Sequence, residues 1–157
     1  VIDTELSAVF TMPALLPCWA VNLELASGPW PYDGIFGNAN SPFSWLARQS
    51  SKPGRCNGEQ WLLHFGAAFS QQHIDADSRD IAGYAIKAVQ QLAGQTLAAE
   101  MTLCHRWRYA QQNPLYPRYG MLHRPELALG LAGDWLNGGR VENAWLSGVQ
   151  LAGELVR

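Results

Sequence analysis

Apolar and polar residues alternate from Cys18 through residue 26, with Trp19, Val21, Leu23 and Leu25 on one side and Asn22 and Glu24 on the other. That two-residue period is the mark of a half-buried strand. The following stretch, SGPWPYDG, is dense in turn formers and leads to a short apolar piece around Ile35 and Phe36, read as a loop and a second strand. Pro42 at the head of PFSWLARQ predicts one or two helical turns, because proline fits the first helical position. The polar loop SSKPGRCNGE then precedes a strand expected over residues 60–67.

Ile81, Ala85, Ala88, Val89 and Leu92 recur at helical spacing, Asp77 or Ser78 can cap that helix, and Gly94 can end it. Over residues 96–110 the alternation is best at Met101, Leu103, His105, Trp107 and Tyr109, so the second half of this segment is expected as a strand. After a proline-rich loop the chain closes with an apolar run, LALGLAGDW, a glycine loop, LNGGR, and a helix, VENAWLSGVQLAGELVR. Unbroken apolarity is typical of a strand buried on both faces, as in a parallel sheet covered by helices. The helix carries small residues at Ala144, Gly148 and Ala152, beside a bulkier sector of Trp145, Val149 and Leu155. A stripe of that kind lets another backbone approach closely. The fold class expected for residues 1–125 is therefore α+β, a mostly antiparallel sheet with helices, with residues 126–157 as a separate closing strand and helix.

Composition narrows the function classes. The 157 residues suit one domain with a sizeable core. The 11 basic and 13 acidic residues form no block of either sign, which argues against a nucleic-acid partner. Cys18, Cys56 and Cys104 are odd in number and lack CxxC spacing, as expected of reduced thiols in a cytoplasmic protein. No apolar run reaches the length of a membrane span, and no signal-type N-terminus is present. His64, His73, His105 and His123 have no metal-ligand spacing, so no metal site is expected. GxSxG is absent, and Cys104 and His105 should point to opposite strand faces, which leaves no nucleophile constellation.

The segment AGDWLNGGRVENAWLSG, residues 132–148, resembles the closing segment of the flavin-containing amine oxidase superfamily, and within it the renalase-like oxidoreductases of bacteria. Members end with a strand, a Gly-Asp or Gly-Glu pair, a glycine-bearing loop and a Val/Met-Glu-Gly-Ala helix start. PCWAV at residues 17–21, WLARQSSKPGR at 45–55 and HRWRYA at 105–110 extend the resemblance in the same order. The resemblance implies FAD as cofactor. Gly133 would let the cofactor approach the backbone, Asp134 would accept hydrogen bonds near its ribityl and phosphate portion, and Arg140 would be either a phosphate contact or a plain loop cation. The backbone at Val141 and Glu142 would face the N1 and C2-carbonyl edge of the ring, where a helix N-terminus stabilises charge left by hydride transfer.

Lys52 is the catalytic candidate, approaching flavin N5 through water; its alternative is an ordinary exposed loop lysine. Trp107 and Tyr109, flanked by Arg106 and Arg108, are expected either to wall a substrate cavity or to fill the core. Two departures stand out. Asn143 replaces the usual glycine, and no GxGxxG opens a helix after a strand. The resemblance thus implies the C-terminal half of an enzyme: residues 1–125 as substrate-binding domain and 126–157 as the last strand and helix of an α/β FAD-binding domain whose N-terminal part is absent. Such a chain would be inactive alone and would need the missing N-terminal dinucleotide-binding half or another chain as partner. The implied reaction takes hydride from a small-molecule substrate, a dihydronicotinamide dinucleotide isomer in the renalase-like case, with dioxygen as acceptor. The alternatives are a conventional amine oxidase and a non-catalytic binding or structural fragment.

Overall fold

A computed structural model describes residues 4–9, 11, 14–55 and 58–156. Cys56 lies outside the described residues; Cys18 and Cys104 are not in disulfides. The architecture is α+β with a mostly antiparallel sheet, and no helix among the described residues is long and apolar enough to cross a membrane. Contacts divide the chain into two compact units, residues 17–109 and residues 1–16 with 110–157.

The 17–109 unit is built on β1 (Leu15–Leu25), β2 (Gly34–Phe36), β3 (Phe43–Arg48), β4 (Gln60–Phe65) and β5 (Ala99–Gln112), in the order β2-β3-β4-β1-β5. The alternation that predicts β1 sets its register, with Val21 opposite Leu63 and Leu23 opposite Trp61 across an antiparallel ladder with β4. Trp19, Val21, Leu23, Leu25, Trp61, Leu63 and Phe65 are all buried on one face. Helix α3 (Ser78–Ala93) covers that face with Ile81, Ala85, Ala88 and Val89, and full burial of each larger side chain is worth about 1.5–3 kcal/mol. The Asp77 carboxylate accepts the Arg79 N–H at 2.8 Å, and Gly94, at φ 64°, ends the helix in the left-handed region. Leu92, expected on the packed face, is exposed.

Two elements differ from expectation here. PFSWLARQ is not helical: residues 43–48 form β3, hydrogen-bonded between β2 and β4, and only Gln49–Ser51 makes a 3-10 turn. Two ladders outweigh what a proline-initiated turn offers. A short helix, α2 (Ala67–Gln72), follows β4 where a strand end was expected. Its Ser70, fully buried, accepts the Trp19 N–H at 3.0 Å. Strand β5 is present, but its core side runs from Ala99 and Met101 to Cys104, an odd step that shifts the pleat by one residue. Leu103, Trp107 and Tyr109 therefore stand exposed rather than continuing the face of Met101.

The other unit holds α1 (Thr4–Val9), the hairpin of β6 (Leu122–Arg124) and β7 (Leu129–Leu131), and α4 (Val141–Leu155). Its core is small, made of Val9, Tyr116 and Leu136, with Trp135 and Tyr119 against it. The Tyr116 hydroxyl donates to the Val9 carbonyl at 2.6 Å. The apolar run LALGLAGDW does not form a strand buried on both faces. β7 has three residues and pairs with β6 alone, Leu129 and Leu131 are half-buried, and Gly130 is exposed. Ala128, in the left-handed region at φ 49°, marks where the run bends into β7, and a 3-10 turn at Asp134–Leu136 ends its extended course.

Candidate cofactor site

The segment from Gly133 to α4 is fixed by three sets of contacts. Leu136 is fully buried, and its carbonyl accepts the Tyr119 and Gly120 N–H groups at 2.9 and 3.0 Å. The Asp134 carbonyl accepts from the Asn137 and Gly139 N–H groups at 2.9 and 2.8 Å, closing the glycine loop. Gly138 and Gly139 sit at φ 95° and 74°, and a Cβ on Gly139 would lie 2.4 Å from Gln112 Cβ. Ser147 supplies the third set. Its fully buried hydroxyl accepts the Gly133 N–H at 3.0 Å and donates to the Gly120 carbonyl, tying the second turn of α4 to both loops.

Asp134 is half-buried, and no hydrogen bond or ion pair among the described residues engages its carboxylate. Arg140 is the N-cap of α4 and makes no side-chain capping bond. The first intrahelical bond runs from Ala144 N–H to the Arg140 carbonyl at 3.0 Å, so the N–H groups of residues 141–143 lie in the uncapped first turn. Val141 is 91% exposed and Glu142 is exposed. Gly133 has a packing role: a Cβ there would lie 2.8 Å from the Trp135 indole. Asn143, the departure from the family pattern, is half-buried, and its carbonyl accepts from Asn137 Nδ2 at 3.4 Å.

The outward face of α4 is apolar. Trp145 is 68% exposed, and Val149, Leu155 and Val156 are also exposed, while the inward face holds Ser147, Ala144 and Leu151. Ordinary amphipathic order is thus reversed over much of this helix.

The remaining candidates belong to the 17–109 unit. Lys52 donates to Gln49 Oε1 at 3.0 Å from the loop after β3. Trp107 and Tyr109 project from β5, Tyr109 at 77% exposure, and the Trp107 ring meets that of His105 at 4.5 Å. Arg106 and Arg108 both reach Asp75, at 3.4 and 3.0 Å, and Arg106 lies over the Trp19 ring. These arginines are engaged in holding the loop before α3. Sequence reasoning missed Ser147 and Gln112, whose Nε2 donates to the Trp135 carbonyl at 3.0 Å. Ser147 is one of several polar residues on α4, beside Glu142, Asn143, Gln150 and Glu154, so nothing in the pattern singles it out. No protein-family model matches this chain.

Proposed function

We propose that this chain is the C-terminal part of an FAD-dependent oxidoreductase and that residues 132–157 close over one edge of the cofactor. The observation that carries the reading is the pairing of an uncapped α4 N-terminus with the unengaged carboxylate of Asp134 across the glycine loop. The residues fit the cofactor's two needs at that edge, donors for a developing anion and an acceptor for hydroxyl groups. The N–H groups of Val141 and Glu142 would hold the N1 and C2-carbonyl edge, and the dipole of a 15-residue helix would favour negative charge there. Asp134 would accept from the ribityl hydroxyls, and Arg140, which forms no ion pair among the described residues, would meet a phosphate. When bound, the flavin supplies the redox chemistry, taking hydride from a small substrate and passing electrons to dioxygen. In this reading Trp107 and Tyr109 are the substrate-binding candidates, Lys52 is the catalytic candidate, and a dihydronicotinamide dinucleotide isomer is the donor.

A missing dinucleotide-binding half completes the site, and the apolar outer face of α4 is what it would cover. That same face is the observation favouring a second reading, a non-catalytic binding fragment. Flavin fluorescence separates the two. The chain alone should leave FAD fluorescence unchanged, while the chain co-expressed with the dinucleotide-binding half of a flavin-containing amine oxidase should quench it. Asp134→Ala should then weaken FAD binding about tenfold or more. Unchanged affinity in that variant removes the cofactor assignment, and no quenching in either form favours the binding fragment.

A further inference from the structure

Gly83 sits in the middle of α3, where glycine is less favourable than any residue but proline. Nothing lies within 4 Å of the position its Cβ would take, so packing within the chain does not call for a glycine. The open space belongs to a groove of about 420 Å³ lined by His73, Ala76, Arg79, Asp80, Tyr84 and Lys87. One wall is aromatic. The His73 and Tyr84 rings are 5.0 Å apart, and both pack on Phe69, at 4.4 and 5.4 Å. Phe69 in turn stacks at 4.1 Å on the fully buried Phe65, which anchors the wall in the core. A planar ring meeting this wall would find it already ordered.

Arg79 and Lys87 lie one turn to either side of Gly83 on the same helix face. Among the described residues neither they nor Asp80 form an ion pair. Two cations and one carboxylate leave the groove with an excess of one positive charge, which a single carboxylate balances and a polyphosphate does not. We propose that this groove binds a small aromatic monocarboxylate, its ring against His73 and Tyr84 above Gly83 and its carboxylate directed along the helix to the cation at one end of the groove, Arg79 or Lys87. A side chain at position 83 would occupy the place of the ring, which accounts for the glycine.

Naphthoate, its neutral amide naphthamide, and adenosine monophosphate are suitable probes, read by amide NMR shifts of the full chain. Naphthoate should shift Gly83 and Tyr84 saturably, with both other probes binding about tenfold more weakly or worse. Gly83→Leu should abolish binding while the chain still unfolds cooperatively, and the doubly substituted R79Q, K87Q chain should bind naphthoate no better than wild type binds naphthamide. No saturable shift up to about 10 mM naphthoate overturns the proposal. So do equal binding of naphthamide, saturation at residues away from the groove, or unchanged binding by Gly83→Leu.

Discussion

The hydroxyl of Ser147 accepts the Gly133 N–H at 3.0 Å, and it does so from the inward face of a helix whose outward face is apolar. The same hydroxyl donates to the Gly120 carbonyl, so one buried side chain satisfies a donor and an acceptor from two different loops. Replacing Ser147 with alanine leaves both backbone groups without that partner, at about 1–3 kcal/mol for a buried polar group. A loss of about 2 kcal/mol or more in urea unfolding is expected for Ser147→Ala. A variant as stable as wild type would mean that the loops are held by other contacts.

Two glycines close together in sequence should respond in opposite ways to alanine. Gly139 is at φ 74°, and a Cβ there meets Gln112 Cβ at 2.4 Å, so Gly139→Ala combines backbone strain with overlap and should cost about 2 kcal/mol or more. Gly148 lies within α4 with nothing within 4 Å of its missing Cβ. Gly148→Ala should stabilise the helix by up to about 1 kcal/mol. Thermal melts of the two variants test the pair, and a destabilised Gly148→Ala would reveal a close neighbour at that position.

Cys104 packs against the core from β5, and burial, followed by the nearby Asp77 carboxylate, pushes its thiol up to about 11. At pH 8 roughly a thousandth of it is thiolate, so alkylation should run about a hundredfold slower than for an ordinary exposed thiol. Peptide mapping after timed iodoacetamide treatment would follow Cys104 by itself. Rapid labelling at pH 8 in the folded chain would contradict the burial.

The parts of the fold legible in the sequence are those where one period governs a whole element. Strand β1 alternates from Val21 to Leu25, and α3 has an aspartate cap, a helical apolar face and a terminal glycine, so both follow from local pattern. Strand β3 escaped because its register shifts between Phe43 and Trp45. The shift puts Phe43 and Leu46 on the same buried side at a spacing of three, which imitates a helix. A similar slip in β5, from Met101 to Cys104, left Trp107 and Tyr109 on the exposed side. In the closing segment the glycine loop and the start of α4 near Val141 were readable, whereas Asp134 begins a 3-10 turn instead of ending a buried strand. Which face of α4 turns inward was not, because Ser147 outranks Trp145 only once the loop groups it satisfies are known.

His64 gives the pH dependence a definite sign. It lies on β4 between Ala20 and Trp45, and burial first, then the Lys52 ammonium, lowers its pKa below the ordinary 6.5. The unfolded chain therefore takes up a proton at a pH where the folded chain still resists it. The stability owed to neutral His64 is fully present above about pH 6.5. It declines as the pH falls through that value toward the lower folded pKa, below which the effect levels off. Between about pH 7 and 5 the wild-type chain should lose stability faster than His64→Gln, which cannot titrate there. Parallel urea unfolding of the two chains across that range makes the comparison. Equal slopes would mean that His64 is hydrated in the folded state as it is in the unfolded one.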